Sequence, residues 1–368
     1  MRLRILFTAG PMYGHVNTLL PLALAARRAG HSVAFATGPD LAVHVRRHGL
    51  EVWPVGPTHA ESGGRAGLSI DYFVAAAAKR AVELVPRAVS WRPDLVIHEE
   101  TELAGAVVAS ATGARQVVHG LGLPLQASMW DALAPGLDAL HREWSVGSTA
   151  AAVLSATRLD VCPPSLRPPG ELLWPDPQLV RPVAGTALAS ERLPDALAGL
   201  PRARTVHLTL GTVFHEEGAL AAALAGLRDL DMNVVVTVGP DVDPSALGRQ
   251  PDHVHVAGYV PHSLLLPMCS LVVSQGGAGV MLGAIALGLP QLILPQGADQ
   301  FRNAEAAARA GVALALAPAD VTPSRVGSAA RTLLDEPAFR TATNQLEKEV
   351  AAMPHPDQVL TTLTEGPR

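Results

Sequence analysis

Cysteine is nearly absent: Cys162 and Cys269 are the only two in 368 residues. Two thiols supply neither a disulfide framework nor a cysteine-built metal cluster, and they suit a reducing cytoplasm, where we expect the protein to work. No stretch approaches the roughly 18 uninterrupted apolar residues of a membrane-spanning helix, and the apolar run at the N-terminus is too short for a signal peptide. A Lys/Arg-rich stripe is also missing. With 28 basic against 33 acidic residues the formal net charge is −5, which argues against nucleic acid or an anionic membrane as partner. Metal-ligand patterns are few. Asp229-Leu-Asp231 and Asp241-Val-Asp243 are formal D-x-D pairs, but one falls at a helix end and the other in a turn, so both read as solvated turn residues. His253 and His255 can share a strand face, yet no third ligand stands near them, and metal sites need three or four. We therefore expect no metal.

What is present reads as a soluble globular protein, 48% hydrophobic and 17% charged, of a length that suits two domains. Residues 269–311 organise it. An apolar run at 271–273 breaks at Gly276-Gly277. A helix-length segment follows to Leu287, closed by Gly288 and Pro290. A second apolar run at 291–294 ends at Pro295, and a second helix opens at Asp299, an expected cap, and stops at Gly311. Strand, glycine turn, helix, strand, helix is the alternation of a parallel sheet with covering helices. A glycine turn between strand and helix aims backbone N–H groups and a positive dipole end at an anion. Both helix starts lie above the carboxyl edge of the sheet, where α/β ligands bind.

The N-terminus repeats this logic. Residues 3–7 form a strand, 8–14 a loop containing Gly10, Pro11 and Gly14, and a helix follows. His15 sits where that loop enters the helix, and the positive dipole end there favours the neutral imidazole that accepts a proton. A histidine that only caps or packs would sit there too. Strands at 32–36, 93–97 and 116–120 and helices near 41–48, 72–89 and 129–144 continue the alternation, with a polar loop at 57–69. In the last of these helices, Met129, Trp130, Leu133, Leu137, Leu140 and Trp144 fall mostly on one side, a core-packing stripe. The strand at 93–97 runs into His98-Glu99-Glu100-Thr101-Glu102. Acids before a helix ordinarily answer its dipole. Alternatively one of them, Glu99 or Glu100, orients His15 as the acid does in a Ser-His-Asp triad.

Nine prolines between Pro163 and Pro201 mark a boundary, because proline bars helix interiors and stiffens the chain. We place a first domain at 1–185, a linker at 186–202 and a second domain at 203–368, whose last helix can return to the first. The second domain opens with a strand at 205–210 and Gly211-Thr212. A helix at 218–230, a strand at 233–238 and a strand at 254–257 follow, the last ending in Gly258-Tyr259-Val260-Pro261.

Taken together these motifs resemble the nucleotide-sugar signature of the UDP-glycosyltransferase-like superfamily, particularly the bacterial enzymes that glycosylate antibiotics and other polyketides. The family pattern H-G-G-x-G-[ST], G-x-P-Q, P-x-G-x-D-Q and a downstream Asn is similar to Gln275-Gly276-Gly277-Ala278-Gly279-Val280, Gly288-Leu289-Pro290-Gln291, Pro295-Gln296-Gly297-Ala298-Asp299-Gln300 and Asn303. Gly14-His15-Val16-Asn17 followed by Pro21 is similar to the family's G-H-x-x-P run. The resemblance implies an α/β GT-B fold, two Rossmann-like domains whose parallel sheets face across an inter-domain cleft, the first for an acceptor and the second for a donor. It implies metal-independent, inverting transfer of a sugar from a dTDP- or UDP-sugar to a small, largely apolar natural-product aglycone, with no further cofactor; a homodimer is compatible with it. His15 would be the base, with Glu99 or Glu100 orienting it. Thr209, Gly211, Thr212 and the backbone of Gln275, Gly276, Gly277, Ala278, Gly279 and Val280 would meet the donor phosphates. Tyr259 and Val260 would meet the nucleotide base, and Asp299 and Gln300 the sugar hydroxyls.

Three positions depart from that pattern: its His is Gln275, its Ser/Thr is Val280, and a Glu often found four residues after Gly279 is Gly283. They leave a donor-weak or non-catalytic accessory relative as one alternative. The other is an NAD(P)-dependent oxidoreductase, because Gly277, Gly279 and Gly283 approximate a dinucleotide fingerprint with Asp299 following at about the distance of a ribose-binding acid. Against it, Asp299 opens a helix instead of ending a strand.

Overall fold

The computed structural model describes residues 2–61, 69–170, 173, 174, 176–188, 190–197, 199–211, 217–239 and 242–365. The chain divides into two compact units: Met1–Cys162, Arg167–Arg181 and Met353–Arg368 form the first, Pro163–Leu166 and Pro182–Ala352 the second. The crossing after Arg181 falls inside the proline-rich segment 163–201 and ahead of the linker placed at 186–202, and the chain returns to the first unit at Met353.

The first unit alternates β1 (Arg4–Thr8), α1 (Tyr13–Arg28), β2 (Ser32–Thr37), α2 (Pro39–Arg47), β3 (Glu51–Pro54), α3 (Ile70–Trp91), β4 (Leu95–Glu99), α4 (Leu103–Thr112), β5 (Arg115–His119), α5 (Ala127–Glu143), the short α6 (Ala150–Val153), β6 (Thr157–Asp160) and β7 (Gln178–Leu179). The strands make one sheet in the order β3-β2-β1-β4-β5-β6-β7, and each of its pairings is parallel. Helices cover both faces of such a sheet, so its central strands read as continuous apolar runs instead of alternating. Leu6, Val96, Val107, Leu84, Trp130 and Leu137 share one buried cluster that joins β1 and β4 to α3, α4 and α5. In the stripe on α5, Trp130, Leu133, Leu137 and Leu140 are buried, while Met129 and Trp144 pack partly buried against the same cluster.

In the second unit come β8 (Thr205–Thr209), α7 (Glu217–Arg228), β9 (Asn233–Thr237), β10 (Val254–Ala257), α8 (His262–Leu265), β11 (Leu271–Ser274), α9 (Ala278–Ile285), β12 (Gln291–Ile293), α10 (Gln300–Arg309), β13 (Ala313–Ala315), α11 (Pro323–Asp335) and α12 (Pro337–Ala352). Its parallel sheet has the order β10-β9-β8-β11-β12-β13. The chain then re-enters the first unit as α13 (Pro356–Glu365), which buries Val359, Leu360 and Leu363. Asp357 of α13 meets Arg28 of α1 at 2.7 Å, and Arg115 of β5 donates to the Leu363 carbonyl. No helix among the described residues is long and apolar enough to cross a membrane.

In both sheets the strand order reverses direction beside the first strand, between β1 and β4 and between β8 and β11. Loops leaving such a pair diverge to opposite faces and open a crevice at the carboxyl edge, where α/β folds bind ligands.

Candidate active site

His15 and Glu99 meet at the first of these switch points. β1 and β4 are paired neighbours, with Thr8 opposite His98. The loop after β1 therefore starts α1 beside the residue that closes β4. His15 Nδ1 lies 2.7 Å from Glu99 Oε1, and the Gly10 N–H donates to the same oxygen at 3.2 Å. Glu99 Oε2 accepts from the Thr101 N–H at 2.6 Å and from its hydroxyl at 2.8 Å. Burial alone would push this carboxyl's pKa up. The His15 charge, the bond to His15 and the two Thr101 bonds outweigh it and hold the pKa at about 2. Glu99 is thus an anion pinned on both oxygens. Facing an ionised acceptor, Nδ1 keeps the imidazole proton and Nε2 becomes the basic nitrogen. His15 is 17% exposed and Glu99 only 1%, so the histidine can be reached while its acid cannot.

Glu100, the other acid considered for His15, turns elsewhere. Its Oε2 sits 2.6 Å from Arg158 Nη2, and its Oε1 accepts from the Leu121 N–H at 3.1 Å. Glu99 closes β4, and the turn that starts at Glu100 sends the second side chain elsewhere. Arg158 in turn lies over the Trp174 ring, 4.5 Å from its centroid. Glu102 takes the dipole-answering part. It caps α4 by accepting from the N–H groups of Ala104 and Gly105, pairs with buried Arg80 at 2.8 Å and accepts from the Thr8 hydroxyl. Three acids within four residues hold three different jobs, and Thr101, which fixes Glu99, carries no motif that would reveal it.

At the second switch point, the loops after β8 and β11 face each other. Gly211 has φ 77° and Gly276 φ 83°, values that side chains rarely adopt. A Cβ on Gly211 would collide with the Gln275 amide nitrogen. Thr209 Oγ1 accepts from the Gly211 N–H at 3.3 Å, and Ser274 Oγ accepts from the Gly276 N–H at 3.1 Å. Thr212 lies outside the described residues, as do residues 62–68 of the polar loop. Helix α9 begins with no side-chain cap and no acid in its first turn. Its first N–H groups, from Ala278, Gly279 and Val280, therefore lack a side-chain acceptor of the kind that caps a helix, as an anion site requires. Gln275 Oε1 is buried without a hydrogen-bond partner among the described residues.

The remaining candidates divide. Val260 and Val280 turn their side chains into an apolar cluster with Val235, Leu265 and Ala284, so only their backbones can meet a ligand. Tyr259 is 46% exposed. Asp299 does not cap α10 with its side chain, contrary to expectation. Its Oδ2 accepts from Asn303 at 2.8 Å, and Asn303 also donates to the Gly276 carbonyl at 2.9 Å, tying the two loops together. Gln300 Oε1 accepts from the N–H groups of Gln296 and Gly297 at 2.7 and 3.1 Å, so its carbonyl serves the loop. At Gly283 a Cβ would stand 3.0 Å from that of Ala184, so a side chain here would require Ala184 to give way. Asp229 and Asp231 are 82% and 86% exposed, Asp243 caps its own turn through Ser245, and Asp241 lies outside the described residues. His253 bonds the Arg228 carbonyl. Among the described residues, no group of three or more His, Cys, Asp or Glu side chains is placed to hold a metal ion.

Family models for the N- and C-terminal domains of erythromycin biosynthesis protein CIII-like proteins match residues 61–211 and 221–365. The chain is 33% identical to the L-demethylnoviosyl transferase of Streptomyces niveus over 96% of each chain. Among solved structures, the glycosyltransferase VinC in complex with dTDP has a TM-score of 0.79 at 30% identity, covering 98% of both chains. Spinosyn rhamnosyltransferase SpnG complexed with thymidine diphosphate has a TM-score of 0.81 at 27% identity, over 99% of this chain and 100% of its own. Likeness over nearly the whole length assigns the GT-B fold and leaves no place for the dinucleotide reading of the glycines around α9, which Asp299 at a helix start already opposed. Both halves of the chain thus answer to one lineage, and it belongs to the erythromycin biosynthesis protein CIII-like glycosyltransferases.

Proposed function

We propose that the protein transfers a sugar from a dTDP- or UDP-sugar to a hydroxyl of a small natural-product aglycone, with inversion and without a metal ion, in the cytoplasm. The observation that carries this reading is the His15–Glu99 contact at 2.7 Å. His15 Nε2 takes the proton of the acceptor hydroxyl as its oxygen attacks the anomeric carbon, and Glu99 stabilises the imidazolium that forms. Inversion follows from a single displacement. A double displacement needs a carboxylate nucleophile, and Glu99 is committed on both oxygens to His15, Gly10 and Thr101. As the glycosidic bond breaks, charge builds on the leaving diphosphate. The N–H groups that open α9 and the helix dipole meet that charge without a cation. Asp299, with one oxygen on Asn303, presents its other oxygen to sugar hydroxyls.

Two tests follow. EDTA is expected to leave activity unchanged, because Asp229 and Asp231 are solvent-exposed and Asp243 is spent on its own turn; a loss restored by Mg²⁺ or Mn²⁺ would refute metal independence. Calorimetric titration with dTDP and UDP should show binding, weaker than an imidazole at position 275 would allow. Gln keeps a donor but cannot carry charge, and charge-assisted bonds are about twice as strong as neutral ones. Gln275→His should therefore tighten nucleotide binding by about fivefold. The gain should be greater at about pH 6 than at about pH 8, since only protonated imidazole adds charge. No binding by either form at millimolar nucleotide would favour a donor-blind relative.

A further inference from the structure

Glu99 stands between two side chains that hold it, one through its backbone and one through its carboxylate. On the strand side, His98 Nδ1 lies 3.0 Å from the Glu99 carbonyl. A carbonyl only accepts, so Nδ1 is the protonated nitrogen. The other ring nitrogen, Nε2, lies 2.8 Å from Gln116 Nε2, and a neutral imidazole protonated at Nδ1 accepts there from the amide. Burial lowers the His98 pKa, which keeps the ring neutral. The sheet places both groups. Val118 of β5 is the register partner of His98, and Gln116, two residues earlier, shares its face. Helix α4 closes over the ring at Gly105, where a Cβ would stand 2.4 Å from that of His98. The imidazole is thus a strut from β5 to the carbonyl that ends β4.

On the far side, Thr101 donates its N–H and its hydroxyl to Glu99 Oε2, at 2.6 and 2.8 Å. The same turn brings the Glu102 N–H to the Glu99 carbonyl at 3.0 Å, so that carbonyl accepts twice. A glutamate side chain has several torsions to freeze before one oxygen can face a chosen partner. A bond on Oε2 freezes them together and leaves Oε1 aimed at His15. His98 and Thr101 are both buried, so their part in the reaction passes through Glu99.

We infer that His98 and Thr101 are positioning residues for the transfer reaction: Thr101 sets the rotamer of Glu99, His98 sets its backbone, and together they keep Oε1 on His15 Nδ1, so that Nε2 is the nitrogen left for the acceptor hydroxyl. Only His15 moves a proton. Displacing a group of the catalytic constellation by about 1 Å can cost about 10²-fold in rate, which gives two buried side chains a reason to hold one acid. This inference rests on His15 being the acceptor-side base.

Thr101→Val keeps the shape and the N–H but loses the hydroxyl. It should lower kcat about tenfold, the scale of one bond to a charged group, with acceptor KM and nucleotide affinity unchanged. His98→Leu should lower kcat about threefold to tenfold, the scale of a neutral bond. Thr101→Ser and His98→Asn, which return a donor to the same place, should recover most of the loss. On Glu99→Ala protein neither Thr101→Val nor His98→Leu should lower turnover further, whereas a structural role would add its loss in both backgrounds. Heteronuclear NMR of the imidazole nitrogens in mildly alkaline buffer gives a reading that needs no turnover. The His15 ring, identified by its absence from His15→Ala protein, should carry its proton on Nδ1 in the unaltered protein and divide it between Nδ1 and Nε2 in Thr101→Val. That change together with normal turnover in His15→Ala would refute the base while still supporting the positioning. Full turnover and an unchanged tautomer in Thr101→Val, or equal losses with and without Glu99, overturn the inference.

Discussion

His15→Ala is expected to lower turnover by about 10²-fold or more while nucleotide affinity stays unchanged. General-base catalysis contributes on that scale, and the nucleotide contacts are assigned to a different sheet, around α9. The prediction distinguishes catalysis from packing. His15 has a fixed partner in Glu99 at 2.7 Å, so a purely structural histidine would show its loss in stability, with turnover per folded molecule unchanged. The pH profile adds a second reading. Glu99 has a pKa of about 2 against an ordinary 4.5. As a carboxyl depressed by folding, it contributes stability in full above about pH 4.5, and that contribution is lost as pH falls through about 2. Between about pH 5 and pH 8 Glu99 stays charged, so any acidic limb of kcat/KM there reports proton uptake by the base and not loss of its acid. Normal turnover in the alanine variant would remove His15 from the mechanism.

Arg158→Met is expected to destabilise the first unit by about 3–5 kcal/mol, the scale for breaking a buried ion pair on one side. Arg158 and Glu100 are 3% and 5% exposed, and methionine would leave the carboxylate buried with only the Leu121 N–H. The sign of the pH dependence is unusual. Burial raises the Glu100 pKa, against the opposing pull of Arg158 and Leu121. A carboxyl whose pKa is raised by folding binds its proton more tightly when folded, so it gains stability as pH falls from the raised value toward the ordinary one. Removing Arg158 raises it further. The deficit should therefore be largest near neutral pH and shrink on acidification, the reverse of what Glu99 would give. Adding Glu100→Gln should restore much of the loss, because no charge is then left buried. Urea unfolding of the three forms at two pH values measures this, and a deficit that is equal at both would refute it.

How much of this was legible depended on whether the signal was local. Strand and helix alternation, the glycine turn before α9 and the loop before α1 are local patterns, and they placed both switch points. The partner of His15 was not local. Glu99 and Glu100 have the same side chain and neighbouring positions, and only the path of the chain at the end of β4 decides which meets His15 and which meets Arg158. Gly10 was invisible for the same reason, since its bond to Glu99 exists only once β1 and β4 pair; Thr101 bonds Glu99 from two residues away, a local contact that no motif marks. Asp299 shows the opposite failure. Its residue type favours a helix cap, but Asn303, one turn on, captures the carboxylate to tie α10 to the Gly276 loop. Val280 looks like a loss of function in a motif, whereas its side chain belongs to the core.

The return of the chain at Met353 has a consequence for how the protein comes into being. The second unit is, but for residues Pro163–Leu166, an unbroken insertion between two parts of the first. One continuous fragment, 182–352, carries every strand from β8 to β13 and can be produced as a single piece; no continuous fragment carries the first unit alone. On the ribosome the order of synthesis and the order of completion therefore differ. The strands β1 to β6 emerge first, but α1 waits without the apolar face of α13 until Pro356–Glu365 has been made, by which time the whole second sheet has already been synthesised.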